Sequence, residues 1–342
     1  MKGMKTRMVK YLWKIAVIAV LLALMLVFVP APYTIYDAYA EVVELPIDLK
    51  SGGLAFDWAN YTSSNHYEDP SITVDIVEGG RIYDTEYMYA LIRIQNPTQL
   101  RTAFTDDTFN GNSTALGTSL AKKKRAVFAM NGDYCKVKTT PDGKKVNERA
   151  NGYIVRMDHT IREKPDQNWD LLIIDQNGDF HTIIEPTWDK LNAWIAEHPD
   201  LRMVNTFNFG PALIVDGETT RETFNNKETN KNTDWIGTYK ATQRTCICQL
   251  DALTYLAVYC EGPEQKNSKG LTMDQFVECL RQVEQELEGY TIRTAYNLDG
   301  GSSSTFVFKD EKKNDWVKIN AFGDSKKRPL YDIIYFASAW KE

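Results

Sequence analysis

Residues 270–306 read GLTMDQFVECLRQVEQELEGYTIRTAYNLDGGSSSTF, and this order decides the fold. Thr272 and Gln275 form a capping-box pair, and Phe276, Leu280, Val283 and Leu287 recur at helical spacing, which predicts an amphipathic helix over 272–288. Cys279 shares the apolar face, and Gly289 stands where a C-terminal cap is wanted. A strand over 292–298 then delivers the chain into Asp299-Gly300-Gly301-Ser302-Ser303-Ser304. Two glycines let the backbone fold tightly with N–H groups turned outward, and three hydroxyls add donors, so the turn suits an anion. The plainer alternative is a strand-to-loop turn that merely needs small residues. Asn297 and Asp299 alternate with Leu298 and so point to the opposite face from it. No Gly-Lys-Ser/Thr follows, which excludes a nucleotide P-loop.

Upstream, alternation or short apolar runs predict strands at 72–77, 87–94, 126–130, 153–157, 171–175, 180–184, 203–207, 212–215, 244–249 and 253–259, with a closing strand at 331–337. Asn177-Gly178 and Asp216-Gly217 read as hairpin turns. A helix fits 187–197, with Trp188, Leu191 and Ile195 on one face. Lys122 to Arg125 reads as a solvated segment before a buried strand, and polar 219–240 as a long loop near a site. Many strands, few helices and hairpin turns indicate an α+β single domain, with a large mixed, mostly antiparallel β-sheet packed by a few helices. Residues 41–119 form a strand-containing lead-in packed on the main domain at 120–342.

Three other places share the style of the Gly-Gly turn. Asn131-Gly132-Asp133-Tyr134 follows a buried strand, Asn208-Phe209-Gly210-Pro211 precedes one, and Gln243-Arg244-Thr245 opens one. Arg244 is the best clamp for a phosphate or carboxylate, because its guanidinium fork meets two oxygens at once.

Taken in order, AMNGDYC (129–135), NFGPALIVDGE (208–218), QRTCIC (243–248), GLTMDQFVECL (270–280) and YNLDGGSSSTF (296–306) resemble the phosphodiester glycosidase family. Some positions depart from its pattern. Asp133 stands for a second glycine, Cys135 for an aromatic, Ser302 for a glycine, and Cys246 and Cys248 for Ala or Gly. The resemblance implies hydrolysis of a sugar 1-phosphodiester, on cell-envelope or exopolysaccharide glycans, to free sugar and a phosphomonoester.

A phosphate is already a good leaving group, so a strong general acid is less needed than in ordinary glycosides. The greater need is to stabilise charge on the phosphate while the sugar ring becomes cationic. Arg244 and the N–H and hydroxyl groups of 300–304 suit the first task. A carboxylate suits the second, either Asp299 or Asp133. Substrate contacts are expected from Asn131, Gly132, Asn208, Gly210, Thr245, Asn297, Gly300, Gly301, Ser302, Ser303 and Ser304.

The chain has 342 residues with a formal charge of −6, 43% hydrophobic and 12% aromatic, which excludes collagen-like and disordered classes. Residues 1–40 carry Lys2, Lys5, Arg7, Lys10 and Lys14 against Asp37, so the remainder is more acidic than the total, and no nucleic-acid partner is expected. A basic start, an apolar run from Ile15 to Val29 and the small-x-small triplet Ala38-Tyr39-Ala40 read as a signal peptide or N-terminal anchor. The run spans about 22 Å as a helix, short of a hydrocarbon core of about 30 Å. Membrane contact is expected only through 11–30 if that segment is kept, and 41–342 are expected to work outside the cytoplasmic membrane.

Five cysteines, Cys135, Cys246, Cys248, Cys260 and Cys279, match neither a zinc site nor a disulfide scaffold and read as buried thiols. Asp133, Asp299 and Asn297 carry oxygen donors, but their spacing matches no calcium loop. No cofactor is expected, a bound divalent cation such as calcium being the alternative. Two rival functions are a serine hydrolase using Ser302, Ser303 or Ser304, and a non-catalytic module that binds anionic glycan. The first needs a base from His66, His159, His181 or His198, none of which lies in a motif.

Overall fold

The run from Arg244 to Asp251 is buried on both faces as far as Leu250. Cys246, Cys248 and Leu250 enter one core, while Ile247 enters another on the opposite side. In the computed structural model this run is a central strand. The structure describes residues 41–109, 113–143, 145–149, 152–226, 236–263, 267–310, 312–320 and 328–341, and the expected leader at 1–40 lies outside them. Among the described residues no helix is long and apolar enough to cross a membrane.

The unit Val42–Lys341 is built on two large open sheets. The first has eight strands in the spatial order Glu218–Thr219, Ala212–Val215, Thr294–Asn297, Arg244–Asp251, Thr254–Cys260, Thr85–Ile94, Ile72–Ile82 and His66–Asp69. The second has five, Trp316–Lys318, Phe306–Lys309, Ala126–Asn131, Asp332–Ala337 and Leu100–Phe104. Pairing is antiparallel throughout both. Their facing sides share one core, with Ile92, Ile247 and Tyr296 from the first sheet and Phe128, Phe306 and Phe336 from the second. A smaller sheet of Phe180–Ile183, Leu171–Asp175 and Met203–Phe207 adds Leu172, Ile174 and Phe207 to it.

Helices cover the outer faces. Met273–Glu286 lays Phe276, Cys279, Leu280 and Val283 on the eight-stranded sheet. Its capping box is formed: Gln275 N–H donates to Thr272 Oγ1 at 3.3 Å and Thr272 N–H to Gln275 Oε1 at 3.0 Å. Gly117–Lys124 covers the five-stranded sheet with Leu120 and Ala121. Trp188–Glu197 covers the small sheet. The α+β class and mostly antiparallel pairing stand, with the strands divided between sheets rather than gathered in one. The lead-in is woven through both, since Ile72–Ile82 and Thr85–Ile94 join the first sheet and Leu100–Phe104 the second.

Two local expectations change. Trp188 and Ile195 are 50% and 44% exposed, and it is Leu191 and Trp194 that face inward. Trp194 gains a stacked contact with His198 at 4.8 Å, which favours turning the larger ring in. Lys122, Lys123 and Arg125 are exposed as expected of a solvated segment, but Lys124 is not. Lys124 closes a helix and is 1% exposed, its ammonium 2.8 Å from Asp107 Oδ1 and 2.7 Å from the Lys50 carbonyl.

Cys246, Cys248, Cys260 and Cys279 are free and fully buried. Burial pushes the Cys260 thiol up to about 12 and raises those of Cys246 and Cys279 as well. All four sulfurs are shut off from solvent, so these four are inert in the native state. Titration with a thiol reagent should label at most one of the five cysteines in native protein and all five after denaturation.

Candidate active site

The strand Thr294–Asn297 lies between Ala212–Val215 and Arg244–Asp251, with Asn297 opposite Cys246. The chain therefore leaves that strand where Arg244 enters its own. Leu298 N–H donates to Thr245 O at 2.8 Å and Gly301 N–H to Gln243 O at 3.0 Å, which lays the Gly-Gly turn over residues 243–245. A Cβ at Gly300 would come within 2.7 Å of Gln243 O, and Gly301 has φ +57°, so both positions require glycine. Arg244, Asn297, Asp299 and the two glycines line one cleft of about 250 Å³, with Tyr134, Phe209 and Lys240 among the other walls.

Arg244 is 2% exposed. Its Nε donates to Leu271 O at 3.2 Å, and its Nη2 to Gly237 O and Lys240 O, each at 2.8 Å. No carboxylate pairs with it among the described residues, and burial lowers its pKa to about 10. A guanidinium held by neutral carbonyls keeps its charge for an incoming anion.

Asp299 sits at the cleft wall. Burial raises its carboxyl to about 6, opposed by the Ser303 hydroxyl, Arg328 and the Gly300 N–H and reinforced by the charge of Asp332. Asn131 pins its main chain: Nδ2 donates to Asp299 O at 2.7 Å, while Oδ1 accepts from Thr305 N–H at 3.0 Å. Asn297, 1% exposed, donates from Nδ2 to Gly210 O at 2.8 Å, and its Oδ1 accepts nothing among the described residues.

Asp133 precedes the cleft residue Tyr134. It does not line the cleft, and its Oδ2 takes Arg156 Nη2 at 2.9 Å. Burial raises it to about 7 despite Arg156, with Asp332 adding to the rise. Gly132 makes room for Asp332, whose Oδ1 would lie 2.6 Å from a Cβ there.

Several expected contacts turn inward. Asn208 is buried, accepting Tyr153 N–H at 3.1 Å and donating to the carbonyls of Trp169 and Asp170, so its side chain is scaffold. Thr245 and Ser304 bond one another at 2.9 Å, both fully buried, on the opposite side of the strand from Arg244. The N–H groups of Gly301, Ser303 and Ser304 go to the carbonyls of Gln243, Gly300 and Gly301. The turn closes as a short 3₁₀ segment, Gly301–Ser303, which takes up those three of the donors an open nest would have offered. The buried charge in the cleft wall is Arg244, with Lys240 also lining it.

Among the described residues no histidine, His159 included, bonds to a serine of the turn. Ser302, Ser303 and Ser304 contact Arg328, Asp299 and Thr245. His66 meets Asp75, His181 meets Asp175, and His198 meets the Trp194 carbonyl. Among the described residues no three His, Cys, Asp or Glu side chains converge as a metal ion would need.

Residues that sequence reading passed over include Tyr134 and Phe209, whose rings stack at 5.5 Å with 9° between planes, and Phe209 stacks in turn on Trp169 at 5.3 Å. Arg328 and Lys240 add cations at the rim. Asp332 and Arg156 carried a signal, a single charge at the edge of a buried apolar run (YDIIYFA, YIVRM).

The sequence profile of the phosphodiester glycosidase family (NAGPA) matches residues 124–337. In structure the chain is similar to the catalytic domain of zebrafish N-acetylglucosamine-1-phosphodiester α-N-acetylglucosaminidase, auto-inhibited by its pro-peptide (TM-score 0.55, 16% identity, 85% of this chain and 97% of that one). It also aligns with a hypothetical protein from Synechocystis (TM-score 0.45, 13% identity, 78% of this chain and 62% of that one). No curated protein matches it. At such identities the structural likeness speaks to the fold, whereas the profile spans well over half the chain, and this chain belongs to the phosphodiester glycosidase family of hydrolytic enzymes.

Proposed function

We propose that this hydrolase works outside the cytoplasmic membrane on a glycosyl 1-phosphodiester of cell-envelope or exopolysaccharide glycan. The observation that carries the reading is the pairing of Arg244, buried without a counter-carboxylate, with Asp299 in one small cleft. Arg244 takes a phosphate oxygen and stabilises the charge that grows there as the bond between the anomeric carbon and oxygen breaks. The bonding pair leaves with the phosphate, giving a phosphomonoester. Asp299, ionised, lies against the carbon that turns cationic and accepts the proton of the attacking water. Asn131 holds Asp299 in place through its main chain.

The protonation state follows from the geometry. A carboxyl that keeps its proton up to about 6 is charged only above that pH, and the reaction needs the charged form. kcat/KM should therefore be level above about 6 and fall tenfold per unit below it, read from a pH–rate profile. The decisive assay incubates the protein with a UDP-sugar and measures released reducing sugar. Release supports the reading, whereas binding without release would point to an anionic-glycan module.

A further inference from the structure

Tyr134 and Phe209 line the same cleft as Arg244 and Asp299, yet the reaction proposed above uses neither ring. Phe209 stacks on Tyr134 at 5.5 Å with 9° between planes, and on Trp169 at 5.3 Å with 21°. Phe209 and Trp169 are 6% and 5% exposed, and Tyr134, half-buried, is the ring of the three that reaches furthest toward solvent. The backbone fixes each of them. Phe209 N–H donates to the Tyr296 hydroxyl at 2.8 Å, and Asn208 before it is locked onto the carbonyls of Trp169 and Asp170. Tyr134 N–H donates to Asp133 Oδ1 at 3.0 Å. Asp133 is itself held, its N–H on Asp332 Oδ1 at 2.9 Å and its Oδ2 on Arg156 Nη2 at 2.9 Å. The buried group of Asp133, Arg156 and Asp332, for which the reaction has no task, thus anchors the turn from which Tyr134 starts.

We infer that Tyr134, backed by Phe209 and Trp169, is the sugar-binding platform of the cleft: its ring packs on the apolar face of a pyranose while the phosphate on the anomeric carbon goes to Arg244. This rests on the hydrolytic reading above. A pyranose is polar around its rim and apolar across its C–H faces. Those hydrogens are slightly positive and are drawn to the negative face of an aromatic ring. Phosphate oxygens need charged or N–H donors, which a phenol ring face and a phenyl ring do not supply. The aromatic wall and the cationic wall therefore divide the substrate between them, sugar to one and phosphate to the other. Asp299, on the same cleft, then stands where the two meet. A ring held this firmly before the ligand arrives has little freedom left to lose on binding, which favours affinity. The platform reads the ring face and not a particular hydroxyl, so it selects for a glycosyl group over an acyclic one.

The test measures kcat and KM on the methyl diester of glucose 1-phosphate, whose only ring is the sugar, together with competitive inhibition by inorganic phosphate. It compares the full chain with Tyr134→Leu and Tyr134→Phe. Tyr134→Leu should raise KM about tenfold and change kcat less, with phosphate inhibiting as it does the wild type. Tyr134→Phe keeps the ring and should recover most of the loss. An unchanged KM in Tyr134→Leu would overturn the platform. So would a phosphate inhibition constant that rises in step with KM in the folded variant, because the ring would then merely shape the cleft around Arg244. A KM that rises on a UDP-sugar but not on the methyl diester would assign the ring to the nucleobase and overturn it as well. If the wild type frees sugar from neither compound, it is the hydrolytic reading that fails. Calorimetric titration of the three proteins with the methyl diester then decides the platform, which stands if Tyr134→Leu binds about tenfold more weakly and falls if it binds equally.

Discussion

Asp299→Asn should lower kcat/KM on a glycosyl phosphodiester by about 10²–10⁴-fold and, at pH 8, make the protein more stable. The two effects share a cause. The carboxyl is partly buried beside Asp332, and in the folded chain it gives up its proton near 6 instead of 3.8. Below 3.8 it is neutral in both folded and unfolded states and carries no penalty. As pH rises from 3.8 to 6 the unfolded chain ionises first, and folding loses stability until the folded carboxyl ionises too. Above 6 the penalty is complete, at most about 3 kcal/mol and less for the water the cleft admits. An amide removes it. Urea unfolding should therefore show Asp299→Asn more stable than wild type at pH 8 and equal to it near pH 3.5. A variant that is inactive but no more stable at pH 8 would mean that the carboxyl is not held in its charged form against a cost.

Arg244 carries the second large effect. Arg244→Ala should cost about 10²–10³-fold in kcat/KM, and Arg244→Lys should lose nearly as much. Lysine keeps the charge but has no fork, and one ammonium cannot serve Leu271 O, Gly237 O and Lys240 O and still meet a phosphate. Stability divides the two variants, because alanine strands those buried carbonyls while lysine can satisfy some of them. Inorganic phosphate should inhibit the wild type competitively and lose its hold on both variants. Undiminished inhibition of Arg244→Ala by phosphate would move the anion site elsewhere.

The sequence disclosed the parts of this arrangement that are local. Thr272 and Gln275 cap their helix because the box lies within one turn. Gly178 and Gly217 mark their hairpins because φ near +80° demands glycine. The Asp299-Gly300-Gly301 turn was legible for the same reason, and Arg244 stood out as a charge opening a buried strand. What lay beyond reach was decided by partners distant in the chain. Asn208 reads as a cleft residue until Gly152 lets its side chain into the backbone, where a Cβ would stand 1.5 Å from Oδ1. The donors of the serine run read as free until Gln243, from another strand, takes one of them. Asp133 reads as an open carboxylate like Asp299, whereas in the fold Arg156 and Asp332 lie against it. Each of these contacts comes from a residue distant in the chain that no local pattern announces.

A crystal structure of Asp299→Asn with an intact UDP-sugar tests the central claim most directly. The account requires a phosphate oxygen within hydrogen-bonding distance of the Arg244 guanidinium and the anomeric carbon beside the side chain at 299. A ligand seated in the larger groove between Asn65, Glu78 and Lys309, with the Arg244 cleft empty, would contradict it.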